Sequence, residues 1–211
     1  MREPLRRIAR IPTAVLSDAL GRLGTMAAAI KPITRGMRLT GIAHTVRCFP
    51  GDYLTLLKAL AEAREGEVLV VDGGGVVEAA LMGKLMAIEA RRKGRHGFVI
   101  DGAVRDLRGL EEVDVPVFAR AATPRVGTAE HLQQNQVPII CGGAPVQPGD
   151  IVHGDEDGVV VFSAKRLREI VSRALEVQRH EAEVVRKLKQ GRPLAELMKL
   201  FDRLIQLRKR G

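Results

Sequence analysis

Two short apolar runs, Val68 to Val71 and Phe98 to Ile100, constrain the fold of this chain more than any other feature. Each is a continuous stretch of branched or aromatic residues, which reads as a buried strand. Asp72-Gly73-Gly74-Gly75 closes the first, and Val77 to Arg92, helical in pattern, lies between the two. Strand, glycine-rich turn, helix, strand is the grammar of an α/β unit.

The second run ends in Asp101-Gly102, a dipeptide that favours a turn, so the strand is expected to stop there. Adjacent Arg105 and Asp106 then place a fixed cation and a carboxylate at one loop or helix mouth. Arginine grips a carboxylate through two parallel hydrogen bonds, and aspartate is a hard oxygen ligand for Mg²⁺ or Mn²⁺. The pair suits a small anionic, metal-chelating 2-oxo acid. On spacing alone it also reads as an exposed ion pair of little energetic weight.

The rest of the chain frames this unit. Pro12 to Leu23 reads as a helix stopped by Gly24, with Leu16, Ala19, Leu20 and Leu23 on its apolar side. Gly41 to Phe49 reads as a strand and Tyr53 to Ala63 as a short helix. Val115 to Ala119, Val137 to Cys141, Ile151 to Val152 and Val159 to Phe162 read as short strands in a β-rich half. From Ala164 a long helix carries Leu167, Ile170, Val171, Ala174 and Leu175 on one face. A further helix carries Leu194, Leu197, Met198, Phe201, Leu204 and Ile205 at helical spacing. This division gives a core over residues 1–163 and a helical extension over 164–211, whose terminal apolar face is expected to dock on a neighbouring subunit.

Charge adds little about the centre. The net +9 is carried by the ends, with +3 over residues 1–10, +8 over 164–211 and −2 between them. Basic helical ends attract polyanions or are simply solvated. Scarce aromatics, with no Trp and one Tyr, disfavour a stacking platform for single-stranded nucleic acid. No apolar run is long enough for a membrane helix and no signal core follows the N-terminus, so a cytoplasmic protein is expected. Cys48 and Cys141 read as buried thiols.

Several alternatives are weak. The Asp72–Gly75 turn matches neither dinucleotide nor P-loop patterns and reads as a tight turn or an approach to another backbone. His44, His96, His131, His153 and His180 form no metal-ligand spacing, and Ser17, Ser163 and Ser172 lie in no hydrolase motif. Asp155-Glu156-Asp157-Gly158 reads as a solvated turn. Gly83, inside Met82 to Ala87, marks a helix start, a break or a close contact. At a helix start its neighbouring free amides would bind a carboxylate.

Four segments together resemble the RraA-like family: Val70 to Gly75, Gly102 to Asp106, Pro116 to Arg120, and Pro148 to Val161. That family includes class II 4-hydroxy-4-methyl-2-oxoglutarate aldolases and protein inhibitors of ribonuclease E. The resemblance spans about residues 12 to 163 and implies a layered β/β/α fold related to the swivelling phosphohistidine domain, with a C-terminal helical extension. It implies a homotrimer or hexamer (a dimer of trimers) with sites at subunit interfaces. It further implies that Arg105 steadies the enolate oxygen, that Asp106 holds Mg²⁺ or Mn²⁺, and that amides of Gly83, Lys84, Leu85 and Met86 take the substrate carboxylate. The expected function is a metal-dependent lyase acting on a small 2-oxo acid, by aldol cleavage or oxaloacetate decarboxylation. The alternative is a non-catalytic protein that modulates an RNA-processing ribonuclease. Two positions depart from the aldolase pattern: Lys84 and Gly109 stand where active members carry acids.

Overall fold

Both apolar runs are central strands of one curled sheet, and both are covered on two faces. The computed structural model describes residues 2–34, 36–94 and 97–200. The chain opens with helices α1 (Arg2–Ile8) and α2 (Thr13–Ala19), then strands β1 (Lys31–Pro32) and β2 (Leu39–Arg47). Helix α3 (Leu54–Glu62) precedes β3 (Glu67–Asp72), and β4 (Ala80–Met82) precedes α4 (Lys84–Arg92). Next come β5 (Gly97–Val104), α5 (Leu107–Val113) and β6 (Val117–Ala122). The ribbon β7 (Ile139–Cys141) and β8 (Ala144–Val146) is followed by the hairpin β9 (Ile151–Asp155) and β10 (Gly158–Phe162). Helices α6 (Leu167–Lys189) and α7 (Leu194–Leu197) complete the described elements.

The main sheet runs β1-β6-β5-β3-β2-β9-β10, with β4 added beside β5. Strands β2, β3, β5 and β6 are parallel, whereas β9 joins β2 antiparallel. Its two ends curl together: Lys31 Nζ donates to the Asp157 carbonyl at 2.6 Å, and Thr25 bridges Val160. The sheet is therefore almost a closed barrel.

Alternation within β3 shows why its run is continuously apolar. Val68 and Val70 point into a cluster under the β7–β8 ribbon, with Val99, Phe118 and Val152. Leu69 and Val71 point the other way, under α3, α4 and α5, with Leu56, Leu60 and Leu110. The result is ribbon, sheet and helices in three layers, the β/β/α order expected from the resemblance. Helices α1, α2 and the first half of α6 close the barrel end through Ile8, Leu16, Ile151, Phe162 and Ile170.

Several expectations need correction. Helix α2 ends at Ala19 rather than Leu23. Gly21, Arg22 and Gly24 have positive φ, and the carbonyl of Gly24 accepts from Val161 N at 2.8 Å, which leaves Leu23 exposed. The helical stretch from Val77 is half strand: Ala80 to Met82 are buried and pair with Ala103 and Val104, so only Lys84 onward is helix. Strand β5 does not stop at Asp101-Gly102 but continues to Val104, because Asp101 is buried with partners of its own. Helix α5 has no counterpart in the sequence reading. Asp155 is buried, and accepts from Thr13 N at 2.8 Å and Thr13 Oγ1 at 2.5 Å, so the acidic turn is not wholly solvated.

In α6, Leu167, Ile170, Val171 and Ala174 are buried as expected, but Leu175 is exposed. The final helix is described only as Leu194–Leu197; Phe201, Leu204 and Ile205 lie outside the described residues, as does His96. Both cysteines are buried thiols, as expected. Burial pushes the Cys48 thiol up to about 12 and also raises Cys141, so neither is a ready nucleophile.

Candidate active site

Parallel strands that end at one edge leave a crevice beyond their carboxyl ends, where open α/β sheets bind ligands. Here β4 and β5 end together. The Arg105 amide donates to the Met82 carbonyl at 3.0 Å, tying the two exits, and each chain then turns into a helix. Gly83 opens α4 and Asp106 opens α5. The two residues read together from sequence, Arg105 and Asp106, therefore face the turn at Gly83 across one cleft.

Backbone geometry at both turns is demanding. A Cβ on Gly83 would strike the Asp106 carboxylate and lie 2.9 Å from Arg105 Cγ, so only glycine permits this approach. Of the readings open for Gly83, the structure shows helix start and close contact at once. Asp106 sits in the left-handed region at φ 61°, which aspartate tolerates better than most side chains and which recurs at functional sites. Its carboxylate accepts from the Lys84 amide at 3.2 Å and lies 3.5 Å from Arg105 Nε.

The cleft is about 250 Å³ and its walls are largely apolar: Tyr53, Leu57, Leu85, Met86 and Val126 surround Arg105 and Asp106. Tyr53, Leu57 and Val126 were not foreseen, since nothing in their local sequence ties them to residue 105. Val126 arrives on a loop strung along the site. Ala80 N donates to the Arg125 carbonyl at 2.8 Å and Gly127 N to the Ala80 carbonyl at 3.0 Å.

Asp52 anchors that loop. Fully buried, it accepts from Leu54 N (2.9 Å), Thr128 Oγ1 (2.8 Å), Glu130 N (2.6 Å) and His131 N (3.1 Å). Burial alone would raise its pKa, but these hydrogen bonds outweigh it and hold the group down at about 2. Asp52→Asn, which presents one acceptor oxygen to four donors, is expected to cost roughly 2–4 kcal/mol in urea unfolding at pH 7. Because the folded pKa lies below the ordinary 3.8, the stability from its ionisation is present above about pH 4 and lost as pH falls toward 2. The gap between parent and variant should therefore narrow below pH 4; a constant gap would reject the assignment.

The two departures from the aldolase pattern prove to be neighbours. The Lys84 stem lies on Gly109, and its ammonium reaches Glu112 Oε2 at 2.6 Å. Glu112 was missed, since α5 itself was. Among the described residues no group of three His, Cys, Asp or Glu could hold a metal ion, and Asp106 is the one carboxylate among the residues lining the cleft. No helix of the described residues is long and apolar enough to cross a membrane.

A family model described as "RraA-like: Aldolase/RraA" matches residues 13–161. A protein of Halalkalibacterium halodurans named "Putative 4-hydroxy-4-methyl-2-oxoglutarate aldolase" is 38% identical over 168 residues, covering 80% of both chains. An uncharacterized protein from Pseudomonas syringae pv. tomato superposes with TM-score 0.81 at 30% identity, over 93% of this chain and 96% of that one. RraAS2 of Streptomyces coelicolor, described as an unusual member of the RNase ES inhibitor RraA family, superposes with TM-score 0.77 at 29% identity, over 85% and 94%.

Proposed function

Since this chain belongs to the RraA-like family, we propose that it is a divalent-metal-dependent lyase that cleaves or decarboxylates pyruvate-derived 2-oxo acids. One observation carries this reading: Arg105 and Asp106 stand side by side in the cleft, against the turn at Gly83. The name of the H. halodurans relative supports it.

The donor set suits Mg²⁺ or Mn²⁺. Such ions commonly take one or two carboxylates and complete their shell with water or substrate oxygens. Asp106 is part-exposed and, apart from the Lys84 amide and the Arg105 guanidinium, leaves lone pairs for a cation. Bound there, the ion would polarise the 2-oxo group as a Lewis acid. The chain's own groups do the rest. Arg105 donates to the oxygen that gains negative charge as the C–C bond breaks. Backbone amides of Gly83, Leu85 and Met86, where α4 begins, receive the carboxylate next to the 2-oxo group, while the Lys84 amide is taken by Asp106. Tyr53, Leu57, Met86 and Val126 keep the reacting carbon away from bulk water. Aldol cleavage and oxaloacetate decarboxylation fit one site because both pass through pyruvate enolate.

The apolar rim supports the homotrimer or dimer of trimers as part of this reading. Leu85, Leu57 and Val126 line the cleft and are exposed, and a second copy of the chain would cover them.

The test is pyruvate release from oxaloacetate and from 4-hydroxy-4-methyl-2-oxoglutarate, with Mg²⁺ or Mn²⁺ and again with EDTA. Release is expected with metal and lost with chelator. Asp106→Ala should reduce metal-supported turnover by roughly 100-fold or more and weaken Mn²⁺ binding read by electron paramagnetic resonance. A folded oligomer that releases pyruvate from neither substrate would overturn the lyase reading. It would favour the alternative role, modulation of an RNA-processing ribonuclease.

A further inference from the structure

A second hollow, open and about 570 Å³, shares Leu85 and Asp106 with the cleft and continues over the start of α5 to Lys84, Arg108 and Glu112. Its chemistry differs from that of the cleft. Where the cleft is apolar around one Arg–Asp pair, the hollow adds two cations, Lys84 and Arg108, and a second carboxylate, Glu112, to the shared Asp106. Lys84 Nζ lies 2.6 Å from Glu112 Oε2, and Arg108 Nε lies 3.8 Å from Glu112 Oε1.

The Lys84 side chain is guided, not merely exposed. A Cβ on Gly109 would sit 2.6 Å from Lys84 Cδ and 3.0 Å from its Cβ and Cγ, so the stem lies directly on bare backbone of α5. Its amide is fixed at the same time by the 3.2 Å bond to Asp106. The ammonium is thus held within one side chain's reach of the proposed metal ligand. Its partner binds it only lightly: Lys84 and Glu112 are 42% and 53% exposed, and ion pairs so open to water are worth about 1 kcal/mol or less. A ligand carboxylate arriving in the hollow can take the ammonium from Glu112 at small cost, and Arg108, 3.8 Å from Glu112 Oε1, stays beside that carboxylate when it does.

We propose that Lys84 is a specificity residue whose ammonium receives the second carboxylate of a dicarboxylic 2-oxo acid, with the 2-oxo end at Arg105 and Asp106. The proposal rests on the lyase reading for that 2-oxo end. It adds where the second carboxylate, which both substrates named above carry, is recognised: at the Lys84 ammonium, laid on Gly109 and released from Glu112.

Malate and lactate separate the two claims. They are 2-hydroxy acids that differ by the distal carboxylate, and a lyase of this kind cleaves neither. Titrated calorimetrically into the full chain with Mg²⁺, malate is expected to bind roughly tenfold or more tighter than lactate, as for a hydrogen-bonded charge pair. Lys84→Met should erase that preference while leaving lactate binding unchanged. Glu112→Gln, which frees the ammonium, should raise the preference by about two- to fivefold. Malate binding no tighter than lactate, or a Lys84→Met variant that weakens both alike, would overturn the proposal. Oxaloacetate left intact by a protein with the malate preference would refute the lyase and keep the subsite. Oxaloacetate turned over by Lys84→Met with unchanged KM would do the reverse.

Discussion

Arg105→Ala is expected to leave a folded protein whose pyruvate release has fallen by roughly 100- to 1,000-fold. The side chain is part-exposed, and its contact with Asp106, at 3.5 Å, is too open to contribute much stability. The structural duty of the residue belongs to its backbone, whose amide holds the Met82 carbonyl in parent and variant alike. In the proposed lyase reaction, what the variant lacks is the guanidinium that would meet the negative charge growing as the C–C bond breaks. That interaction strengthens in the transition state, so kcat should fall much more than KM rises. Arg105→Lys should recover only part of the loss, because an ammonium is a point charge without the planar fork. Steady-state kinetics, beside circular dichroism to verify folding, decide the matter. Turnover within a few-fold of the parent would remove Arg105 from the chemistry.

The residues that carry this expectation were visible in the sequence for a local reason. Arg105 and Asp106 are adjacent and follow an apolar run, and both facts survive in any fold that buries the run. The continuous hydrophobicity of Val68 to Val71 likewise required cover on two faces, and it has it. Signals that depend on distant partners were lost. Asp101-Gly102 has the composition of a turn, yet Asp101 lies mid-strand because Gly142 and Arg120, far along the chain, supply its hydrogen bonds. Ala80 to Met82 continue a helical pattern, yet pairing with β5 makes them a strand. Tyr53 and Val126 meet at the cleft because the Asp52 anchor and the Ala80 backbone bonds fix a loop distant in sequence.

The same logic makes Lys84 and Gly109 intelligible. Considered separately, each is a lost acid beside a proposed metal, and together they would argue against metal binding. In the fold they are one arrangement, with the small residue clearing the space in which the long one lies and the ammonium turned to Glu112 rather than to Asp106. Asp106 therefore keeps its carboxylate directed at the cleft without a lysine ammonium upon it. The substitutions alter what surrounds the site more than the site itself.

Asp101→Ala should produce the largest loss of stability, about 3–5 kcal/mol, because it breaks a buried charged network from the inside. Asp101 is 6% exposed; one carboxylate oxygen accepts from Gly142 N at 2.6 Å and the other from Arg120 Nε. Alanine would orphan both donors at once. The Gly142 amide belongs to the turn between β7 and β8, so the bond also ties the ribbon to the sheet beneath it. For a chain of this length the loss corresponds to a Tm lower by roughly 6–20 °C. Arg120→Met should cost clearly less, because Arg120 is a quarter exposed and the Asp101 carboxylate it leaves behind keeps the Gly142 bond. Calorimetric melting of the two variants gives the ranking. If the two lose equally, the stabilising element is the ion pair. If Asp101→Ala loses far more, it is the carboxylate's bond to the ribbon, and the strand that delivers Arg105 to the cleft is held in place by a residue whose sequence context spells a turn.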